Sequence, residues 1–125
     1  MTKKIGFLPL LLVLCVSCSE HDNRKVSIRA SNVKEDRDSL MVDSLFKKQQ
    51  FVLAITKIDS VLPLKPSSQK GYYYIQKGFN SLMLEHHNEA IFNFEQAVSL
   101  GYKIEESTIM IETAKKMKQT HEQYN

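Results

Sequence analysis

The stretch from Gly71 to Lys103 constrains the fold of this chain most strongly. It reads GYYYIQKGFNSLMLEHHNEAIFNFEQAVSLGYK, and in its second half apolar residues recur at intervals of three and four. That interval is the period of an amphipathic α-helix with one buried face. The pattern predicts a helix that ends near Leu100-Gly101, because glycine can adopt the left-handed conformation that caps a helix. The predicted buried face consists of Ala90, Ile91, Phe94, Ala97 and Val98.

Five residues of this stretch have the spacing of a known repeat. Tyr74 lies four residues before Gly78, and a group of three residues follows Gly78 at intervals of twelve, sixteen and nineteen: Ala90, Phe94 and Ala97. This pattern resembles the tetratricopeptide repeat (TPR), in which two antiparallel helices fill about 34 residues. The resemblance implies that the two helix backbones approach at Gly78 and Ala90. It also implies that Phe94 fills the space between the helices and that Ala97 leaves room for the next repeat.

The other helix of this predicted pair runs from Tyr72 to about Leu84, and Glu85–Glu89 forms a short polar turn. This half follows the repeat less closely. Lys77 and Ser81 stand where the family prefers large apolar residues, and Tyr102 stands where it prefers proline. An ordinary helical hairpin is therefore the alternative.

A single repeat cannot bury both of its faces, so neighbouring helices are expected on each side. Upstream, Leu40–Phe46 predicts a first helix, and Ala54, Ile58 and Val61 repeat the spacing of Ala90, Phe94 and Ala97 at a distance of 36 residues. Pro63 and Pro66 should end that second helix, with residues 65–70 as a loop.

Downstream, residues 104–118 predict a capping helix, followed by a frayed end at residues 121–125. We therefore expect an all-α domain over residues 37–125, with about two TPR-like repeats and a C-terminal capping helix.

The N-terminus has the organisation of an export signal. Lys3 and Lys4 precede a twelve-residue apolar run, Ile5–Val16, which is shorter than a permanent membrane span. At its end, Val16-Ser17-Cys18 resembles the lipobox of bacterial lipoproteins. The resemblance implies that residues 1–17 are a signal peptide and that Cys18 carries acyl chains such as palmitate.

Cys15 stands where that family usually has leucine. A second register would therefore place the lipidated residue at Cys15, but it puts the bulky Leu14 just before the cut. A redox pair of Cys15 and Cys18 is disfavoured, because Cys15 would be removed with the signal.

Residues 18–36 predict a lipid anchor followed by a flexible tether. The segment is polar, with isolated Val26, Ile28 and Val33, and cannot bury enough apolar area to offset the entropy of ordering. As a coil it would span about 20 Å. The alternative is a short strand at residues 26–28 that docks on the domain.

Composition and motifs exclude several classes of function. The 17 basic and 14 acidic residues are interspersed, and two of the basic residues lie in the predicted signal peptide, so we expect no nucleic-acid binding. There is no G-x-S-x-G, no H-E-x-x-H and no glycine-rich phosphate loop; we expect neither catalytic residues nor a cofactor. His86 and His87 are adjacent, so they diverge on a helix and should be turn histidines and not metal ligands.

An apolar stripe on the predicted Tyr72–Leu84 helix is the candidate partner-binding site. It lies apart from Tyr74 and Gly78, and the TPR resemblance places it in the concave groove that receives other polypeptides. The alternative is that the stripe packs inside the monomer. The stripe consists of Tyr72, Ile75, Phe79, Leu82 and Met83.

These features predict a lipoprotein scaffold that holds a partner protein in the bacterial cell envelope, with self-association possible. Ser19 after the modified cysteine favours the outer membrane, on its periplasmic face or at the cell surface. Small TPR lipoproteins occur in envelope machines such as the type VI secretion membrane complex, which suggests an accessory role of that kind. The alternative is a lipoprotein that binds a small ligand or glycan through Tyr72, Tyr73 and Tyr74.

Overall fold

The computed structural model describes residues 36–125; the predicted signal peptide, Cys18 and residues 19–35 lie outside the described residues. Within residues 36–125 the chain forms five α-helices and one short 3-10 helix, and no β-strand, which confirms the all-α prediction. None of these helices has the length and apolar content needed to cross a bilayer. The helices are α1 (Arg37–Lys47), α2 (Phe51–Val61), α3 (Ser67–Met83), α4 (His87–Ser99) and α5 (Ile104–Tyr124), with the 3-10 helix at Leu62–Leu64.

The connections between helices follow from local backbone chemistry. Asp36 caps α1, because its side chain accepts a 3.4 Å hydrogen bond from the backbone N–H of Asp38. The 3-10 turn that contains Pro63 follows α2 directly, so α2 ends where the prolines predict. After α4, Gly101 adopts φ +71° and the N–H of Tyr102 bonds to the carbonyl of Ala97, as expected for a left-handed cap.

Three predicted boundaries are wrong. Residues 87–89, predicted as part of a polar turn, form the first turn of α4. Residues 67–70, predicted as a loop, form the first turn of α3, because Pro66 has the extended conformation of an N-cap and leaves the following residues free to be helical. The predicted frayed end is also helical, since α5 continues to Tyr124. There Lys118 pairs with Glu122 at 3.8 Å and Asn125 contacts His121 at 2.9 Å, both one helical turn apart.

Helix α3 is the centre of the packing. Each helix packs against its neighbours in the chain, and α1 also contacts α3. One apolar cluster joins α3 to α4 and α5, and a second joins α3 to α1 and α2. The buried members of the first cluster are Ile75, Leu82, Ala90, Phe94, Ala97 and Ala114. Those of the second are Val42, Ile58, Val61 and Tyr73.

The contact between α3 and α4 depends on the missing side chain of Gly78. A Cβ atom at this position would lie 2.7 Å from Cε1 and 2.8 Å from Cζ of Phe94, closer than carbon atoms approach in real proteins. Phe94 is fully buried, so its ring cannot move aside without disturbing the core. Ala90 and Ala97, one turn before and one turn after Phe94, are fully buried as well.

A polar cluster joins the start of α1 to the rest of the domain. Lys65 pairs with Asp36 and with Asp38 (2.8 Å), Lys57 of α2 pairs with Asp38 (2.9 Å), and the hydroxyl of Tyr73 donates to Asp36 (2.8 Å). The hydrogen bond from Lys65 is the main reason that the pKa values of Asp36 and Asp38 are lowered. The same carboxylates raise the pKa of Lys65.

Replacement of Gly78 by alanine tests the close approach of α3 and α4. We expect Gly78→Ala to lower the free energy of unfolding by about 1–2 kcal/mol, because overpacking costs about 1–3 kcal/mol while the helix propensity of alanine returns up to about 1 kcal/mol. Denaturant unfolding measures the change. In a Phe94→Leu background the same substitution should cost less. Additive effects of the two substitutions would contradict the proposed contact.

Acid should weaken the cluster around Lys65. The folded-state pKa values of Asp36 and Asp38 lie below the unfolded value of about 3.9, so their contribution to stability is complete above that value and is lost as pH falls through the lower, folded values. The melting temperature of Asp36→Asn/Asp38→Asn should therefore depend less on pH below about 4 than that of the wild type. Asparagine can still cap α1. Equal pH dependence in the two proteins would exclude this role.

Candidate interaction surface

The structure divides the predicted stripe on α3. Ile75 and Leu82 are only 5% and 8% exposed and belong to the core, as the alternative interpretation of the stripe expects. Phe79 is half-buried, with its ring edge-on to Phe94 at a centroid distance of 5.3 Å. Met83, one turn further along the helix, is 56% exposed. The surface part of the stripe is therefore Phe79 and Met83, and Ile75 and Leu82 hold the helix in place.

Tyr72 is engaged within the domain. Its hydroxyl donates a hydrogen bond to Oδ1 of Asp43 at 2.6 Å and also lies 3.3 Å from the backbone carbonyl oxygen of Ser39, so it ties α3 to α1. Burial is the main reason that the pKa of Tyr72 is raised. Burial and the hydrogen bond to Asp36 likewise raise the pKa of Tyr73 to about 12.

The alternative hypothesis, a small-ligand or glycan-binding surface, requires that Tyr72, Tyr73 and Tyr74 be available for stacking. The hydroxyl groups of Tyr72 and Tyr73 bond to α1 and its N-cap, and Tyr74 packs against the cluster of α3, α4 and α5. Each of the three side chains is therefore held by a different contact within the domain.

Phe79 lines a cleft of about 280 Å³ between α1 and α3, here named the α1–α3 cleft. Its walls include two aromatic rings, Phe46 from α1 and Phe79 from α3. Within residues 36–125, the side chains of Lys47 and Gln76 form no hydrogen bond or ion pair, while Asp43 accepts the bond from Tyr72. The cleft is lined by Asp43, Phe46, Lys47, Gln76 and Phe79.

Sequence reasoning did not identify the contribution of α1 to this cleft. Asp43, Phe46 and Lys47 stand 36 residues before Phe79, Leu82 and Met83, which is the distance that relates the two predicted repeats. Translating the stripe by one repeat would therefore have found them. Gln76 had no such signal, because it lies between the apolar positions of α3.

A second cleft, of about 540 Å³, lies between the turn after α3 and the C-terminal half of α5. It contains Met117 and Tyr124 from α5 and His87 from the start of α4, and we name it the α5 cleft. His87 is buried, and its ring centroid is 5.7 Å from that of His121. Among the described residues, no three histidine, cysteine, aspartate or glutamate side chains are already arranged to hold a metal ion.

Charged substitutions should separate the buried and exposed parts of the stripe. Ile75→Glu places an unpaired carboxylate in the core and should destabilise the domain by about 4 kcal/mol or more, enough to unfold much of it. Met83→Glu should change the free energy of unfolding by about 0.5 kcal/mol or less, because its side chain is exposed. Circular dichroism during thermal unfolding measures both. A folded Ile75→Glu variant would contradict the position of Ile75.

Comparison with protein-family models, with curated proteins and with solved structures gives no match for this chain.

Proposed function

We propose that this chain is a lipid-anchored scaffold of the bacterial cell envelope that binds a partner protein through the α1–α3 cleft. The observation that carries the proposal is the cleft itself, whose walls include Phe46 and Phe79 and whose Lys47 and Gln76 have unpaired polar groups among the described residues. Aromatic pockets with a few free polar groups are typical places for the anchor residues of a binding partner.

We interpret the domain as TPR-like. In α2 and α4 the same three positions are buried, namely Ala54, Ile58 and Val61 in one helix and Ala90, Phe94 and Ala97 in the other. The contact between α1 and α3, in addition to the contacts between consecutive helices, is the one expected between the first helices of adjacent repeats. On this interpretation α5 caps the array, and the α1–α3 cleft lies on its concave side.

The cleft suits a polypeptide segment with one apolar anchor and nearby acceptors. An aromatic or aliphatic side chain of the partner can pack between Phe46 and Phe79. Lys47 can pair with a carboxylate, and the Gln76 amide can both donate and accept hydrogen bonds. Met83 extends the apolar face by one turn beyond Phe79, since residues four apart share a helix face.

The location of the scaffold rests on the sequence. Acyl chains at Cys18 would hold the protein on a membrane, because two or three chains make release very slow. The outer membrane is the preferred site, with the domain on the periplasmic face or at the cell surface. An accessory role in a type VI secretion membrane complex, or in a similar envelope assembly, fits this architecture, and self-association fits a short array.

Matched pairs of exposed substitutions test the binding surface. Lys47→Glu changes a residue of the α1–α3 cleft, and Lys48→Glu makes the same change at the next residue, which is exposed and outside the cleft. Met83→Glu and Phe92→Glu form a second pair, because these side chains are 56% and 57% exposed on α3 and α4. Each protein is used to capture partners from envelope extracts of its own cells under mild crosslinking.

We expect a specific partner to be lost from Lys47→Glu and Met83→Glu and kept by Lys48→Glu and Phe92→Glu. Loss of one exposed ion pair should weaken binding by up to about fivefold, because such a pair contributes at most about 1 kcal/mol. All four variants should keep the wild-type melting temperature within a few degrees, because each side chain is exposed. Equal capture by all four, or equal loss in both members of a pair, would place binding elsewhere on the protein.

The anchor is tested separately at Cys18. Cys18→Ser should move the protein from the membrane fraction to the soluble fraction, since no other acylation site is proposed. Metabolic labelling with a palmitate analogue should mark the wild type but not this variant. Cys15→Ser is the matched control and should leave both labelling and fractionation unchanged. Labelling that persists in Cys18→Ser would exclude the proposed anchor.

A further inference from the structure

The hairpin formed by α1 and α2 has large apolar side chains on its outside. Leu40 and Met41 of α1 are 48% and 50% exposed, and Leu53 of α2 is 56% exposed. Single exposed apolar side chains are ordinary on protein surfaces, so these three are of interest only if they lie together. We name the three residues the hairpin face.

The contacts between α1 and α2 place Met41 and Leu53 at the same level of the hairpin. Lys57 of α2 pairs with Asp38 of α1 at 2.9 Å, so these two residues face each other. Met41 follows Asp38 by three residues and shares its helix face, and Leu53 is related to Lys57 in the same way, four residues before it. Both steps lead toward the short turn of residues 48–50, because the two helices run in opposite directions from it. Met41 and Leu53 therefore lie side by side.

Basic side chains without a partner flank the hairpin face. Arg37 lies four residues before Met41, and Lys48, the C-cap residue of α1, lies seven residues after it. These intervals put all three on one side of the helix. Arg37 and Lys48 are exposed, and neither forms an ion pair within residues 36–125.

The carboxylates of the same hairpin are all engaged in contacts within the domain. Asp36 and Asp38 pair with Lys65, Asp59 pairs with Lys77, and Asp43 accepts a hydrogen bond from Tyr72. Among residues 36–61 of the described domain, the charged side chains that have no partner are therefore all basic: Arg37, Lys47 and Lys48. This side of the protein suits an anionic partner.

We propose that the hairpin face rests on an anionic phospholipid bilayer, with its three apolar side chains among the outermost acyl carbons and with Arg37 and Lys48 on the headgroup phosphates. Surfaces that combine apolar and basic side chains bind at this level of a membrane. The inference rests on the proposed anchor at Cys18. That residue lies 18 positions before Asp36, the N-cap of α1, and a coil of this length would span about 20 Å. Along the chain, α1 is thus the described helix nearest to the proposed anchor.

Contact at the hairpin face would turn the α1–α3 cleft away from the bilayer. Successive residues of an α-helix are about 100° apart, so Asp43 and Phe46 lie about 140–160° round α1 from Met41. These two residues line the cleft. A domain held on lipid by the hairpin face would therefore leave the cleft open to a partner protein.

Tryptophan fluorescence can test this contact, because the chain contains no tryptophan and a single introduced residue is the only reporter. Met41→Trp and Leu53→Trp place the reporter on the hairpin face. Phe92→Trp is the matched control, at a 57% exposed position on α4. The full-length gene product is purified from the membranes of its own cells and reconstituted into vesicles of anionic phosphatidylglycerol or of neutral phosphatidylcholine. Both kinds of vesicle contain lipid brominated near the headgroup end of the acyl chains.

In anionic vesicles we expect the emission of Met41→Trp and Leu53→Trp to move to shorter wavelength and to be quenched by the brominated lipid. Phe92→Trp should show neither effect. Lys48→Gln, added to Met41→Trp, should lower the equilibrium constant for contact by about fivefold, because one basic residue near an anionic surface contributes that much. Lys115→Gln is its matched control, since Lys115 is an exposed lysine on α5.

The two lipids separate the hairpin face from the anchor. Sedimentation with neutral vesicles reports the anchor, and quenching in anionic vesicles reports the face. Protein that sediments with both vesicles while Met41→Trp and Leu53→Trp stay unquenched would overturn the contact and leave the anchor intact. Quenching in anionic vesicles without sedimentation on neutral ones would support the face and contradict the anchor. Equal quenching of Phe92→Trp and Met41→Trp, or equal effects of the two lysine substitutions, would also overturn the proposal.

Discussion

The close approach of α3 and α4 at Gly78 sets the geometry of the rest of the domain. Because Gly78 has no side chain, the Phe94 ring can lie directly on the α3 backbone. The Phe94 ring also contacts the ring of Phe79, which is the residue after Gly78. Phe79 is thus supported from the core side, and its other side is free to form the wall of the α1–α3 cleft. A looser contact at Gly78 would displace the aromatic wall on which the proposed binding surface depends.

On the side of α3 that faces α1, hydrogen bonds fix the position of the helix more strictly than apolar packing alone would. The hydroxyls of Tyr72 and Tyr73 reach Asp43 and Asp36 of the first helix and its cap, and they fix the rotation of α1 against α3. Hydrogen bonds to charged groups contribute about 1.5–3 kcal/mol and have strict geometry. Van der Waals contacts would permit α1 to slide, whereas these bonds define one register. The α1–α3 cleft therefore has walls set by the core on one side and by hydrogen bonds on the other.

The sequence predicts the helices well where one face is clearly apolar. The period in α1 and α4 and the cap at Gly101 were sufficient to place those elements, because each depends on local residues. The start of α3 was predicted wrongly because residues 67–70 are polar and have no apolar period. Pro66 has the extended conformation of an N-cap, so the helix begins directly after it. The residue that follows this segment, Gly71, lies close to Tyr102, a contact between residues far apart in the chain.

The candidate site was only partly predictable, because α3 packs against other helices on several sides. In the sequence, the five apolar residues of the stripe predict one exposed helix face. In the structure, Ile75 and Leu82 belong to the core that α3 forms with α4 and α5. Of two departures from the repeat on α3, the structure explains one. Lys77 remains near the surface and pairs with Asp59 of α2 at 2.8 Å. Ser81 is fully buried and its hydroxyl has no partner, and nothing in the structure explains that choice. The sequence could not predict that the rings of His87 and His121 lie close together, because this depends on how α5 packs against the turn between α3 and α4.

Exposure alone does not identify a binding residue in this domain. Met83 and Phe92 are exposed to the same extent, and single apolar side chains on a protein surface are ordinary. Their surroundings differ, because Met83 continues the helix face of Phe79 beside a cleft with an aromatic wall, whereas Phe92 lines neither the α1–α3 cleft nor the α5 cleft. A partner side chain that enters the α1–α3 cleft can be desolvated on several sides at once, but one that rests on Phe92 meets a single ring. Concavity, more than hydrophobicity, is therefore the property that selects the α1–α3 cleft.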